Sequence, residues 1–523
     1  QAKLYSLHFA FVTAIFWLGL RLRRALRSSG APSALWPVRA WPAVARWLIA
    51  LAFVGSLSFT NHFMTLLLVP SLLALALWPE PDTTRARGSM AGSGAWRWAL
   101  RYAPWIVLAA VLPQLLYLYL PWRAGQNPLL EWGTPDNWRD FWRHVSVWQY
   151  KQALSAEGTI FEYAGLSVTM AAEQLGPWLG VLTLALAVGG AVLLARVNRA
   201  LLTAILLLIV VNFFFSYQYQ NVEIHAYVDP LYMMWFTLAA VGLAWLGTRA
   251  ATWGGAQGAR AASARSRSAA WRGPLLGWLA GLVVFTAAVL AWNLGRAGHY
   301  DDWTGEAYVR NHFSTFEPNA VVLTDSWYLQ APSYYLQYVL HERPDVAIID
   351  KNLARYPFYL NYLDRQFPAV LAPVQAEETR YRTQEALWYN DQPYDTQGLP
   401  QAYFDWLRAI VRENLAAGRP VYFFWYGADS EAQQVMQGFN IHPVGMALQV
   451  TAQAYTGPLQ EPAFDWRGVL TDPVPKDRVA RVVLDSYPRA MDQLAIYARG
   501  RNETAAADRF TTLAAQLRAA LAP

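Results

Sequence analysis

One stretch of the sequence brings together side chains suited to binding a charged or sugar ligand. Residues 121–150 read PWRAGQNPLLEWGTPDNWRDFWRHVSVWQY and follow the apolar run Pro104–Leu120 directly. Arginine can bind a phosphate through two parallel hydrogen bonds, and flat indole rings suit the faces of sugars. We therefore take this tryptophan-rich loop as the first candidate site. Its candidate residues are Arg123, Asn127, Glu131, Trp132, Asp136, Trp138 and His144.

The same loop has a second interpretation. Tryptophans at the end of a membrane span usually lie among lipid headgroups, and Asn137–Gln149 has the composition of an interfacial amphipathic helix. Thr134 or Asp136 is then the expected N-cap of that helix. This interpretation leaves Arg123, Glu131 and His144 free for a site.

A smaller polar group interrupts an apolar helical pair at Asn61-His62. Asn61 can serve as a helix cap and His62 as an interfacial residue, or both can form the polar floor of an outward cavity. A second polar loop, Tyr217–Asp229, is either a solvated connection or a further ligand contact.

The elements that must position these residues are predicted to be membrane helices. The chain is 55% hydrophobic and 15% charged, and its apolar residues concentrate before residue 293 in runs near the length of a bilayer span. We expect about eight spans: Leu4–Leu20, Trp47–Ser58, Phe63–Trp78, Pro104–Leu120, Pro177–Ala195, Leu201–Ser216, Pro230–Gly247 and Pro274–Trp292. The second and third can instead be one long kinked span.

Arginine placement predicts the orientation. The net charge of +6 is typical of proteins that bind nucleic acids. If the second and third spans are separate crossings, however, the arginine clusters follow alternate spans and lie on one side of the membrane, which is the bias of cytoplasmic loops. We therefore expect a multi-pass protein of the inner cell membrane and no nucleic-acid partner. The tryptophan-rich loop and everything after Asn293 are predicted to lie outside the cytoplasm.

After Asn293 the pattern changes to short β-rich runs separated by helical segments. The predicted strands are Ala320–Asp325, Asp345–Asp350 and Pro420–Tyr426. Strand–helix–strand order indicates parallel pairing and an α/β layer. We predict three parts: a transmembrane domain over 1–293, an extracytoplasmic α/β domain over 297–480, and a helical hairpin over 481–523.

Several chemistries lack their signatures. The chain has no cysteine, which excludes disulfides and thiolate zinc sites. It contains no GxxxxGK[ST], HExxH or GxSxG motif and no Asp-x-Asp pair. We therefore expect neither a metal nor a cofactor. The predicted spans carry almost no ionisable side chain at mid-membrane, where coupled transporters usually place one.

Four segments resemble a bacterial polytopic membrane family of originally unknown function, which includes the animal transmembrane protein O-mannosyltransferase. They are SLSFTNHFMTLLLVPSLL (56–73), LPWRAGQNPLLEWGTPDNWRDFWRHVSVWQY (120–150), PNAVVLTD (318–325) and RPDVAIID (343–350). The resemblance implies a GT-C-type fold and transfer of a sugar, such as mannose, from a polyprenyl-phosphate donor. The implied acceptor is a protein Ser/Thr or a glycan outside the cytoplasm.

The resemblance also implies where the catalytic carboxylate lies. In GT-C enzymes it belongs to the first outer loop, whereas Leu4–Leu20 resembles a later span, so we expect that loop upstream of Gln1. Within the chain, Glu131 and Asp136 are the candidates for carboxylate chemistry or hydroxyl binding. The implied roles of the others are phosphate binding by Arg123, sugar stacking by Trp132 and Trp138, and positioning by Asn61, Asn127, His62 and His144.

Two other classes of function stay open. A transporter or flippase would move a substrate across the bilayer without glycosyl transfer. A membrane-anchored binding protein would use its extracytoplasmic α/β domain alone.

Overall fold

The computed structural model describes most of the chain. It covers residues 5–28, 41–78, 93–148, 159–219, 225–259, 302–425, 430–459, 461–471 and 478–522, and positions 283, 284, 286–288, 290, 291, 294 and 476. The chain divides into two units. The membrane unit comprises Gln1–Trp122 and Val145–Gly295, and the α/β unit comprises Arg123–His144 and Arg296–Pro523.

The membrane unit is helical because its apolar runs satisfy their backbone hydrogen bonds internally, as a bilayer requires. The α-helices that lie wholly or mostly in this unit are α1 Tyr5–Ser28, α2 Trp41–Asn61, α3 Val69–Leu77, α4 Ser93–Val111, α5 Tyr119–Ala124, α7 Ile160–Leu175, α8 Pro177–Val197, α9 Arg199–Gln218 and α10 His225–Ala259. The helix between α5 and α7 belongs to the α/β unit and is given with it below. Phe63–Leu68 and Leu112–Leu118 are 3₁₀ segments.

Five helices in the described part of the chain are long and apolar enough to cross a membrane. They are Ala43–Asn61, Arg101–Ala124, Trp178–Val197, Arg199–Gln218 and Tyr227–Gly247. Phe63–Leu77 is a shorter apolar helix, and Leu4–Leu20 falls largely within α1. Most of Pro274–Trp292 lies outside the described residues, so the number eight stays a prediction.

Two glycines allow a close contact between helices α8 and α10 of the membrane unit. A Cβ placed on Gly190 of α8 would lie 2.0 Å from the Leu238 carbonyl oxygen of α10, and one on Gly242 would lie 2.0 Å from the Leu186 carbonyl oxygen. Only glycine permits this approach of two backbones. Close packing through small residues is the usual way in which membrane helices associate.

The α/β unit contains a five-stranded sheet in the order β2-β1-β3-β5-β4. Its strands are β1 Val321–Thr324, β2 Ala347–Asp350, β3 Val421–Phe424, β4 Asn440–Val444 and β5 Ala447–Thr451. Strands β1, β2 and β3 pair in parallel and lie within the three predicted segments. Strands β4 and β5 form an antiparallel hairpin that the sequence analysis did not predict.

Helices cover both faces of this sheet. Side chains alternate along β1, so Val321 and Leu323 join one core cluster while Val322 joins the other. The helices of the unit are α6 Trp138–Val145, α11 Thr304–Thr315, α12 Trp327–Tyr338, α13 Pro357–Gln366, α14 Pro368–Leu371, α15 Gln375–Tyr389, α16 Gly398–Ala416, α17 Ser430–Met436, α18 Arg478–Leu484, α19 Ser486–Gly500 and α20 Thr504–Leu521. The last two form a helical hairpin.

Candidate functional site

The tryptophan-rich loop is built into the α/β unit. Buried Arg143 of α6 forms an ion pair with Asp391 at 2.5 Å and donates a hydrogen bond to the Tyr389 carbonyl oxygen. The Trp132 ring lies 5.7 Å from the Trp327 ring and 5.1 Å from the Phe358 ring, centroid to centroid. Trp327 and Phe358 follow the carboxyl ends of β1 and β2, so the loop lies at the sheet edge where α/β proteins usually bind ligands.

A tight turn shapes the centre of the loop. Gly133 and Thr134 both have positive φ angles, +84° and +40°, and the Asp136 N–H donates to the Thr134 carbonyl oxygen at 2.8 Å. A Cβ on Gly133 would lie 3.2 Å from Nδ1 of His144. Glycine therefore both permits the turn and leaves room for the imidazole beside it.

Three polar side-chain atoms of this turn region are buried without a hydrogen-bond partner in the described part of the chain. They are Oε1 of Glu131, Oγ1 of Thr134 and Nδ1 of His144, which we call the loop cluster. A buried polar atom without a partner costs about 1–3 kcal/mol, so such atoms are rare unless a ligand or water completes them. The loop cluster is therefore the part of the loop best suited to bind hydroxyl groups.

Burial also shifts the pKa of two members of the loop cluster. It raises the pKa of the Glu131 carboxyl, an effect that Arg365 opposes and Asp136 reinforces. Burial lowers the pKa of the His144 imidazole, and the Trp132 carbonyl opposes that change. Both changes favour the neutral form of the group, and a neutral carboxyl or imidazole can form hydrogen bonds with a hydroxyl group.

Helix α6 begins at Trp138, and its N-cap is neither of the two expected residues. Asn137 is its N-cap, because Oδ1 of Asn137 accepts from the Asp140 N–H at 3.0 Å. The expectation that Thr134 or Asp136 caps the helix was wrong. Thr134 belongs to the turn, and Asp136 instead accepts a hydrogen bond from Nδ2 of Asn137 at 3.0 Å.

Arg123 lies in the last turn of the span Arg101–Ala124, and Asn127 lies in the turn that follows this span. Both side chains are exposed, and Nη1 of Arg123 donates to Oε1 of Gln126 at 2.7 Å. Asn127 has a positive φ of 48°, which its residue type tolerates better than most. Arg123 thus presents a guanidinium to solvent at the end of a predicted span.

The membrane unit contains the other predicted residues, Asn61 and His62. His62 interrupts the helix after α2 and caps the 3₁₀ segment that follows, since its Nδ1 accepts from the Met64 N–H at 3.2 Å. This interaction leaves the proton on Nε2. The His62 ring lies 5.0 Å from the buried ring of His8, whose Nδ1 has no partner among the described residues.

The structure thus groups seven of the nine predicted residues in the α/β unit and two in the membrane unit. His8 was not predicted as a site residue, because a single histidine in an apolar run does not indicate a partner. Sequence analysis also missed the residues that hold the loop: Trp327, Phe358, Tyr389 and Asp391. Among the residues that the structure describes, no group of three or more His, Asp or Glu side chains is arranged to hold a metal.

The polar loop Tyr217–Asp229 can be assessed only in part, because residues 220–224 lie outside the described chain. Oγ of Ser216 donates to the Tyr227 carbonyl oxygen at 2.9 Å, which ties the end of α9 to the start of α10. This contact fits a structural connection.

Comparison with known proteins gives one relationship. Residues 1–85 match the family model for the N-terminal domain of protein O-mannosyl-transferase TMEM260. This region contains α1, α2 and α3, together with His8, Asn61 and His62. No curated protein and no solved structure matches the chain. The predicted relationship is confirmed: through residues 1–85, the chain is related to the TMEM260 protein O-mannosyltransferases.

Proposed function

We propose that the chain belongs to a membrane glycosyltransferase that moves a hexose, such as mannose, from a polyprenyl-phosphate donor to a Ser or Thr hydroxyl outside the cytoplasm. The match of residues 1–85 carries the proposal. It is supported by five helices that are apolar enough to span a bilayer, and by a polar loop that directly follows one of them.

The proposed reaction is a direct displacement at the anomeric carbon. The acceptor oxygen forms the new bond to that carbon while the bond to the lipid phosphate breaks, and a carboxylate takes the hydroxyl proton. The phosphate leaves with an extra negative charge, which a nearby cation stabilises.

The loop residues have different parts in this proposal. Arg123 is exposed at the end of a span, where a lipid phosphate would lie, and it serves as the phosphate ligand. The loop cluster binds sugar or acceptor hydroxyls. Trp132 suits sugar stacking better than Trp138 does, because Trp327 and Phe358 fix its ring close to the loop cluster.

The assay uses the full-length protein in lipid vesicles, a radiolabelled polyprenyl-phosphate mannose donor and a Ser/Thr peptide acceptor. Arg123→Lys keeps the charge but loses the planar two-point contact. One charge-assisted hydrogen bond contributes about 1.5–3 kcal/mol, so we expect transfer to fall roughly ten- to a hundredfold. Arg139→Lys, in the same loop but bonded to Asn390, is the matched control. Unchanged transfer in Arg123→Lys would contradict the proposed role of Arg123 in phosphate binding.

The loop cluster has its own test, Thr134→Val. The two side chains have the same shape, so the variant keeps the backbone turn and loses a buried hydroxyl that has no partner in the described chain. We expect unchanged or higher thermal stability together with about a fivefold or greater rise in KM for the sugar donor or the acceptor, the equivalent of about 1 kcal/mol. Lower stability with an unchanged KM would mean that the hydroxyl has a structural role instead.

The two other classes of function predict different results. Movement of the lipid substrate across vesicles without any glycosyl transfer would favour a transporter. Turnover by residues 1–523 alone would place the catalytic base within this chain, and Glu131 and Asp136 would then be the first residues to substitute.

A further inference from the structure

Helix α6 buries charged side chains and exposes aromatic ones, which is the reverse of the usual arrangement. Asp140 and Arg143 are buried, and Arg143 contacts Asp391 and stacks over the Tyr389 ring at 4.6 Å. In contrast, Trp138 is 72% exposed and Trp142 is 49% exposed. A helix on a water-facing domain normally buries its apolar side and exposes its charged side.

The exposed aromatic side chains form one continuous face. Trp138 and Trp142 are four residues apart and therefore lie on the same side of the helix. Their ring centroids are 5.4 Å apart, and the Phe141 ring lies 5.8 Å from that of Trp138 and 5.9 Å from that of Trp142. A contiguous exposed apolar patch of this kind marks an interaction surface.

The orientation of this face is fixed from its polar side. Arg143 binds the end of α15 through Tyr389 and Asp391, and Arg139 donates a hydrogen bond to Asn390. These contacts prevent the helix from turning its rings towards the α/β unit. The exposure of the two tryptophans therefore follows from the way in which the polar side of α6 is bound.

The composition and chain position of the face point to one occupant. Its exposed large side chains are indoles, which favour the headgroup level of a bilayer over its hydrocarbon core. The chain enters this region from the span Arg101–Ala124, whose end already exposes Tyr119 and Trp122 with ring centroids 5.7 Å apart. Aromatic residues at such a position form the interfacial belt of membrane proteins.

We infer that the aromatic face of α6 lies in the headgroup region of the membrane and docks the α/β unit on the lipid surface. The buried charges of α6 bind the protein while its tryptophans bind the lipid. This inference goes beyond the proposed function and does not depend on transferase activity, because it concerns where the loop is held. A soluble sugar or another protein is the competing occupant.

Site-specific labelling tests the inference cleanly because the chain contains no cysteine. Trp138→Cys and Trp142→Cys would each receive an environment-sensitive fluorophore, and the full chain would be reconstituted in phosphatidylcholine and phosphatidylglycerol vesicles that contain lipids with a quencher at defined depths. We expect strong quenching by shallow quenchers, corresponding to a depth of about 5–10 Å. Ala376→Cys and Ala515→Cys, at exposed helical positions of the same unit, should show little quenching.

Folding of each variant is checked by its thermal transition, and the two tryptophan positions serve as independent measurements. Quenching at positions 138 and 142 no stronger than at 376 and 515 would overturn the inference. A label whose fluorescence is not quenched by the lipid quenchers but changes on addition of soluble mannose would assign the face to sugar instead. A label shielded in detergent and lipid alike would assign it to a protein contact.

Discussion

The membrane unit and the α/β unit place their large apolar side chains in opposite ways. In the span Arg101–Ala124 the side chains of Trp105, Val107 and Leu118 point outward, and Trp105 is 59% exposed. In the α/β unit Trp406 of α16 is fully buried within the core cluster on one face of the sheet. The same residue type is thus outside one unit and inside the other, as expected if lipid is the solvent of the first and water that of the second.

Helix α6 departs from this division. It belongs to the α/β unit, yet it exposes tryptophans in the manner of the membrane unit. The exposed surface of α6 therefore resembles that of the membrane unit more than that of the unit to which it belongs. The predictions below test whether the two units obey different packing rules.

The largest expected effect separates two tryptophans. Trp406→Ala leaves a large cavity in the core of the α/β unit and should destabilise it by about 3–5 kcal/mol. Trp105→Ala removes a side chain that faces outward and should change the stability of the reconstituted protein by less than about 1 kcal/mol. Urea midpoints measured by limited proteolysis in vesicles would compare the two. Equal losses of stability in the two variants would show that Trp105 packs against protein, and would contradict the difference between the two units.

The second prediction concerns pH and a buried histidine of the α/β unit. His312 is fully buried, its Nδ1–H donates to the Tyr308 carbonyl oxygen at 2.8 Å, and its ring packs against Phe424. Burial lowers the pKa of His312 from 6.5 to about 4. The unfolded chain therefore binds the proton more readily, and the contribution of His312 to stability is lost as the pH falls from about 6.5 towards 4.

This loss amounts to roughly 1.4 kcal/mol for each pH unit in that window. Asp350 acts in the opposite sense, because burial raises its pKa to about 6, so the stability that it contributes is lost as the pH rises through that value. The contribution of His312 is therefore isolated by subtracting the profile of His312→Gln from that of the natural chain. A difference independent of pH between 4 and 7 would contradict the prediction.

Strands and site residues could be predicted from the sequence where neighbouring residues alone indicate them. Strands β1, β2 and β3 were predicted because Val, Leu, Ile and Phe run together there without interruption. Strands β4 and β5 were missed because Pro443, His442 and Gln449 break the apolar pattern, and these strands form by pairing with each other. The site shows the same limit: the loop was predicted from its own residues, but its anchor Asp391 lies 248 residues after Arg143.

A third prediction tests packing inside the membrane unit. The Cβ of Gly190→Ala would have to occupy space now filled by the Leu238 carbonyl, so α8 and α10 must separate. Overpacking of this kind costs about 1–3 kcal/mol. Gly180→Ala in the same helix, where a Cβ would meet nothing within 4 Å, is the matched control. Thermal inactivation in detergent should fall to lower temperature only in Gly190→Ala. Tolerance of both changes would mean that the helices do not pack as described.

The smallest expected effect concerns the start of α6, where the observed N-cap differs from the residues expected from the sequence. Asn137→Ala removes the side chain that accepts from the Asp140 N–H, and loss of an N-cap costs about 1 kcal/mol. Hydrogen exchange of the backbone amides in the first turn of α6, residues 138–141, should therefore become about fivefold faster. Asp136→Ala removes only an acceptor for the exposed Asn137 amide and should leave these rates nearly unchanged. Since α6 is also held by Arg143, the faster exchange should stay confined to its first turn. The reverse result, with Asp136→Ala the more damaging change, would restore the cap expected from the sequence and contradict the capping role of Asn137.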